Sequence, residues 1–263
     1  MDSDKHLILA FSLLFALICM TSRGQFNDSS SGLLSCPSAE MPKSGTFMAT
    51  GLLLNRNATA PAWNYNTIGY GISVVILPRI EIGYVMTIFN GKWAGDPNSI
   101  FLNQDRHFYG KVQLLKEGEF GKEWIPSLAV GISDPTTGET RKGDIDYTDF
   151  DVAEGNGYFN RYYAVATKHF YTPHGVVGAH LGYQYNKRVD IPMNGPCAAI
   201  DWMPVWLQKE NVVATKLIAE YDARTFNVGA IISLWRDHFE AMFELQAMKW
   251  ISAGIRYKLV LKS

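Results

Sequence analysis

The sequence predicts an all-β protein, a closed antiparallel transmembrane β-barrel of about twelve strands with short periplasmic turns and longer extracellular loops. Three observations carry that expectation. Apolar residues alternate with small or polar ones over stretches of about 9–11 residues, longer than strands of soluble sheets usually run. The connections sort by parity, with long polar ones after odd strands and mostly short ones after even strands. The closing segment Ser252-x-Gly254-x-x-Tyr257-x-Leu259 has the polar, glycine, apolar spacing of the last strand of an outer-membrane barrel.

Composition agrees and removes the alternatives. The 263 residues are 47% apolar, 13% aromatic and 19% charged, which excludes a disordered chain. Twenty-four basic against 25 acidic side chains leave a net charge of -1, too balanced for a protein that binds nucleic acid by neutralising phosphates. A mean hydropathy of -0.05 excludes a bundle of membrane-spanning helices, each of which needs about 20 apolar residues in a row.

From the N-terminus, Lys5 and His6 precede an apolar run from Leu7 to Met20, then Ser22-Arg23-Gly24 before Gln25. A basic start, a short apolar core and a small-x-small site read as a secretory signal peptide over residues 1–24. Cys19 follows the large Ile18, which argues against lipoprotein processing. Residues 25–43 are then a periplasmic N-terminal segment or a plug for the lumen, and residues 44–263 the barrel. Cys36 and Cys197 remain in the processed chain and read equally as a disulfide pair or as two buried thiols.

The strands follow by alternation. Residues 45–54 form the first, with an unsettled phase. Ile68, Tyr70, Ile72, Val74 and Ile76 face lipid in the second. After Leu77-Pro78, Ile80, Ile82, Tyr84, Met86 and Ile88 do so in the third, against Arg79, Glu81 and Gly83 inside. Phe108, Val112 and Leu114 face out, opposite Asp105, His107 and Lys111; Trp124, Pro126, Leu128, Val130 and Ile132 continue the pattern. Residues 157–168 are strand-like without a clear phase. Val177, Leu181 and Tyr183 alternate with His180; Ile200 and Trp202 with Ala199 and Asp201; Leu217 and Ala219 with Lys216, Glu220 and then Asp222. Phe226–Leu234, Phe239–Leu245 and Ile251–Leu261 close the series. Long loops are expected near 55–64, 90–103, 134–155 and 186–195.

The inward rows give the candidate site residues: Arg79, Glu81, Asp105, His107, Lys111, Lys168, His180, Lys216, Glu220, Glu240, Glu244, Arg256 and Lys258. Glu240 and Glu244 are expected near Arg256 and Lys258. Either these select a solute or they fill the lumen with ion pairs, and for about twelve strands filling is favoured. His107, His180, Ser127 and Ser133 are the residues a hydrolase would draw on. The chain has no clustered metal-ligand spacing and no nucleophile elbow, so no catalytic residue, metal or cofactor is expected. The acidic stretch 134–155, with Asp144, Asp146, Asp149 and Asp151, reads as a solvated loop rather than a cation site.

An ordered set of motifs resembles the YjbH-like outer-membrane family. Pro37-Ser38-Ala39-Glu40-Met41 with Gly45-Thr46 is similar to the family's lead into its first strand, and Leu77-Pro78-Arg79-Ile80-Glu81 to its strand–Pro–strand turn. Lys111-Val112-Gln113-Leu114-Leu115-Lys116-Glu117-Gly118 with Ile125-Pro126-Ser127-Leu128-Ala129-Val130-Gly131 resembles it most, followed by Ala166-Thr167-Lys168, Glu220-Tyr221-Asp222, Asn227 and Gly229. The resemblance spans residues 37–261 in a compact, single-barrel form that looks like Bacteroidetes usage; better-known members are longer. It implies a non-enzymatic structural or export-associated component linked to exopolysaccharide. The expected partners are outer-membrane lipid and lipopolysaccharide, the barrel-assembly machinery during insertion, and other outer-membrane or periplasmic proteins. The alternatives are a solute-selective channel, and an outer-membrane lipid-modifying enzyme that would depend on His107 or His180.

Overall fold

The computed structural model describes residues 30–57, 66–93, 96–135, 160–186, 194–209 and 212–261, apart from the side chains of 89–105. The expected signal peptide, most of the acidic stretch and the Asp105 side chain lie outside the described residues. Twelve strands follow one another: β1 (Thr46–Leu54), β2 (Thr67–Leu77), β3 (Ile80–Trp93), β4 (Asp96–Leu115), β5 (Ser127–Ser133), β6 (Arg161–Thr172), β7 (Gly175–Tyr185), β8 (Gly195–Pro204), β9 (Val213–Tyr221), β10 (Phe226–Leu234), β11 (Phe239–Gln246) and β12 (Trp250–Val260). Each pairs with its sequence neighbours and β12 returns to β1, so the sheet closes. The seam is antiparallel, from Thr46↔Val260 to Leu53↔Ala253. Closure leaves no row of unpaired N–H and C=O groups, the condition for strands to stand in lipid.

The period-two pattern becomes two opposed surfaces. On β7, Leu181 is 66% exposed while His180, one residue earlier, is 4% exposed. Leu181 stands on the outer, lipid-facing wall and His180 on the inner one. Ile68, Ile72 and Ile76 on β2, Phe108 on β4 and Ile251 and Ile255 on β12 share the outer face. Aromatic residues gather at both ends of that face. Phe120, Trp124, Tyr171, Trp206 and Trp235 stand at the short-turn end. Tyr183, Tyr185 and Phe226 stand at the other, where Tyr162 lies 6.3 Å from Tyr185 and Tyr221 lies 4.9 Å from Phe226. An apolar band between two aromatic girdles fits a bilayer and its two interfaces. The protein is an outer-membrane β-barrel, with the short turns periplasmic.

Burial fixes the two strands whose phase the sequence left open. On β1, Thr46, Met48, Thr50, Leu52 and Leu54 point inward. On β6, Arg161, Tyr163, Val165 and Thr167 do. Both rows mix apolar with polar residues, so hydropathy offers little contrast there. Two inward tyrosines are accommodated by a glycine on the neighbouring strand: Gly83 lies beneath the ring of Tyr109, and Gly131 beneath that of Tyr163. A Cβ at either glycine would enter the ring.

Four expectations are corrected. Residues 90–93 and 96–103, expected in a loop, are strand; the β3–β4 ladder continues through Asn90↔Leu102 to Trp93↔Asp96. A hairpin needs only its backbone bonds to continue, so pairing outlasts the apolar alternation. Trp124 and Pro126 precede β5 and belong to the turn 116–126, which contains a 3-10 turn at Glu119–Gly121. Arg79 is not in the lumen: with Pro78 it makes the β2–β3 turn, bonding the Leu114 carbonyl at 2.9 Å and Glu119 at 2.5 Å. Lys168 falls outside the inward phase set by Tyr163, Val165 and Thr167, and its amine reaches Glu117 of the 116–126 turn at 2.7 Å.

Candidate functional site: a loop inside the lumen

Residues 30–43 have no helix or strand, yet Ser30, Ser31 and Leu33 to Ala39 are buried. A segment without a ladder must find other partners for its amides and carbonyls when water is excluded. The inward side chains of the barrel supply them. Glu81 of β3 accepts from the Ser31 amide at 2.9 Å. Glu220 of β9 accepts from the Ser35 amide at 2.7 Å and the Cys36 amide at 3.2 Å. Thr167 Oγ1 of β6 accepts from the Ala39 amide at 3.0 Å. On the carbonyl side, Arg256 donates to Ser30 at 2.8 Å, Arg161 to Ser35 at 3.0 Å and Gln113 to Ala39 at 2.8 Å. The wall thus stands in for secondary structure at Ser30, Ser31, Ser35, Cys36 and Ala39.

The loop rises from the periplasmic end, turns near Ser35-Cys36 and returns to β1. Lys111 clasps its neck. The Nζ donates to the Ser31 carbonyl at 2.8 Å, to Ser31 Oγ at 2.6 Å and to the Glu40 carbonyl at 2.7 Å, with Glu81 Oε2 at 3.6 Å. The two arms come so close that a Cβ on Gly32, whose φ is 140°, would lie 3.1 Å from the Ser38 Cβ. Small residues are required where two backbone arms and a ring of wall side chains share one lumen.

Apolar contacts complete the fit. Leu33 and Leu34 join Leu52, Leu54, Ile218, Ile231 and Met242 in one buried cluster. Leu34 sits against the bare backbone of Gly229. Ala39 packs with Ala129, Tyr163 and Val165. Burying each leucine is worth about 1.5–3 kcal/mol relative to exposure.

Near the periplasmic end, Glu40 of the loop receives Lys216 on both carboxylate oxygens at 2.9 Å and His169 Nε2 at 3.2 Å. Burial alone would raise the Glu40 carboxyl. The Lys216 charge and the hydrogen bonds from His169 and Lys216 overcome that and hold it well below the usual range. His169 Nδ1 meets Glu117 at 2.6 Å, so its ring joins the loop to the 116–126 turn. Glu117 is likewise held low: partial burial opposes, while hydrogen bonds from Lys168 and His169 prevail. Beside this lies a directed chain. The Ala39 amide donates to Thr167 Oγ1, which is 2.9 Å from His180 Nδ1, and His180 Nε2 is 2.6 Å from Asp201. With Nε2–H donating to the carboxylate, Nδ1 accepts from the threonine hydroxyl.

At the other end, Ser35 Oγ donates to Glu244 at 2.7 Å beside Glu220. The Cys36 thiol points at the Tyr221 carbonyl, 3.1 Å away, and has the Cys197 thiol as its neighbour; both cysteines are free in this structure.

Of the residues singled out by sequence, Glu81, His107, Lys111, His180, Lys216, Glu220, Glu240, Glu244 and Arg256 line the lumen. Glu240 pairs with Arg256 at 3.1 Å and with Lys258 at 2.6 Å, as expected from their adjacent strands. Glu244 does not join them; it lies opposite Ser252 and serves Ser35 instead. Lys258 stands at the periplasmic mouth and also bonds Asp237. Sequence reading missed Glu40, Gln113, Arg161, Thr167 and His169 as loop contacts. The unsettled phase of 157–168 hid Arg161 and Thr167, and His169 follows directly after it; Gln113 lies in an inward row but is uncharged, and Glu40 stands outside the strands.

No family model and no curated protein matches the chain. Among solved structures it is similar to LpxR from Salmonella typhimurium, at 9% identity over 80% of this chain and 99% of that one, with a TM-score of 0.40. It is also similar to a bacterial polysaccharide outer membrane secretin, at 10% identity over 85% of this chain and 100% of that one, with a TM-score of 0.36.

Proposed function

We propose that this outer-membrane barrel is a closed, non-enzymatic component of YjbH-like type, structural or export-associated, rather than a solute channel. The observation that supports this is the loop 30–43, whose backbone groups are met by side chains from β3, β4, β6, β9 and β12. A solute-selective pore keeps its charged residues facing a water path. Here Lys111, Glu220, Glu244 and Arg256 direct hydrogen bonds to the loop, and Arg256 also bonds Glu240 and Thr50 of the wall. His180 has both ring nitrogens engaged, by Thr167 and Asp201, which favours a positioning role over that of a base for an outside substrate.

Planar-bilayer recording tests the reading. The whole protein is expected to give no stable conductance steps, and a variant lacking residues 30–43 is expected to give them. Stable steps from the unaltered protein overturn the proposal in favour of a channel. The exopolysaccharide link rests on the resemblance over residues 37–261; unchanged exopolysaccharide output after deletion of the gene would remove it.

A further inference from the structure

We propose that Cys36 and Cys197 form a disulfide that staples the lumen loop to the barrel wall, making this pair a covalent modification site that locks the plug. The inference rests on the plugged-barrel reading above. Cys36 stands at the turn of the loop, with its Sγ 3.1 Å from the Tyr221 carbonyl and 3.7 Å from the Ala198 carbonyl. Ala198 and Tyr221 are partners across the β8–β9 ladder, so the sulfur lies over that ladder beside Cys197. Cys197 faces inward, is 2% exposed and belongs to the same buried cluster as Cys36. Its partner on β7 is Gly182, where a Cβ would come within 3.1 Å of the Cys197 sulfur. A glycine there leaves room for the sulfur between loop and wall.

The surroundings bring the thiols together without their help. Glu220 holds the Ser35 and Cys36 amides, Glu244 holds the Ser35 hydroxyl, and Leu34 seats against Gly229. Of the three cysteines, Cys19 lies in the expected signal peptide, so a processed chain has no competing partner. The periplasm through which outer-membrane proteins pass is oxidising.

The step is thiol–disulfide exchange with an oxidised dithiol oxidoreductase of that compartment. The Cys197 thiolate attacks one sulfur of the oxidant's disulfide, forming a mixed disulfide and releasing the oxidant's other sulfur as a thiolate. The Cys36 thiolate then attacks the Cys197 sulfur, forming the Cys36–Cys197 bond and releasing the second oxidant thiol. Two electrons and two protons pass to the oxidant, which leaves as a dithiol. Both sulfurs are buried in the finished barrel, so the oxidant reaches Cys197 before the wall closes and the Cys36 attack follows as the loop seats. Burial raises the Cys36 thiol well above its ordinary range, which slows later exchange from the closed state.

The test takes the full protein from native outer membranes, blocks thiols with an alkylating agent during denaturation, and maps peptides by mass spectrometry. A cross-linked Cys36–Cys197 peptide, lost on reduction and absent from Cys197→Ser, is expected. Alkylation of both cysteines in the unreduced protein overturns the staple. Bilayer recording on the same preparation separates the two readings. Free thiols with a silent barrel defeat the staple alone; a cross-linked barrel that conducts upholds the staple and defeats the plugged reading.

Discussion

Replacing Lys111 by methionine keeps the length and volume of the stem while removing the amine's donors at the neck of the loop. The amine makes three hydrogen bonds, at 2.8, 2.6 and 2.7 Å, and sits 3.6 Å from Glu81, with neither side chain exposed. Removing one member of a buried ion pair costs about 3–5 kcal/mol, and each buried acceptor left bare costs about 1–3 kcal/mol. These overlap, because the Ser31 hydroxyl still reaches Glu81. A working figure of about 4 kcal/mol shifts the ratio of docked to undocked loop by about three orders of magnitude. The β-ladder bonds are backbone bonds and do not use the amine, so the barrel is expected to keep its heat-modifiable gel migration. Opening events in planar bilayers, and hydrogen exchange over residues 30–41, are expected to rise together. Arg79→Gln is the control, since its pair with Glu119 is at the surface and is worth about 0–1 kcal/mol. A folded Lys111→Met barrel as silent as the unaltered one, or an equal rise in Arg79→Gln, would refute the clasp.

Leu34→Ala empties a site bounded by Gly229, Leu52 and Ile231 and should weaken docking by about 2–5 kcal/mol; exchange over residues 33–36 reads this, and an unchanged rate counts against the packing. Glu40 and Glu117 are both held below their unfolded values. Groups depressed in the folded state contribute stability above the unfolded pKa, about 4.3 for glutamate, and lose it as pH falls through the folded one. Protection of the loop amides, corrected for the intrinsic exchange rate at each pH, should therefore lose the Glu40 and Glu117 contributions only below about pH 4; a fall in protection between pH 7 and 5 would contradict this. In the β11–β12 turn, Ala247 and Met248 have φ of 51° and 56°, a left-handed conformation costing about 1–2 kcal/mol per ordinary residue. The double change Ala247→Asn and Met248→Gly should raise the urea midpoint of unfolding in detergent, and an unmoved midpoint would mean no strain is stored there.

The barrel was legible because lipid enforces strict contrast on one face. Ile68, Ile72, Phe108 and Leu181 are apolar at every second place, and the twelve-strand count follows from such rows. Legibility failed where the environment relaxes that contrast. Beyond the bilayer the β3–β4 hairpin needs only backbone pairing, so residues 90–103 read as a loop. Arg79 carries a charge in phase with Glu81, and alternation alone does not tell a strand's last residue from its turn. On β6, Tyr163 and Val165 face inward because the loop's Ala39 packs there, an apolar patch inside the lumen that hydropathy reads as ambiguity. The contacts of Ser31, Ser35 and Ala39 are backbone groups meeting side chains 50 to 185 residues away, and backbone groups leave no trace in composition.

The amides of Ser31, Ser35, Cys36 and Ala39 are held by side chains of the barrel wall. Residue-resolved hydrogen exchange on the folded protein in detergent measures that hold most directly. Slow exchange at Ser31, Ser35, Cys36 and Ala39, comparable with the strands β9 and β12 that flank them, is the predicted result. Exchange of these four amides at the rate of an unstructured peptide, with the strands still protected, would contradict it.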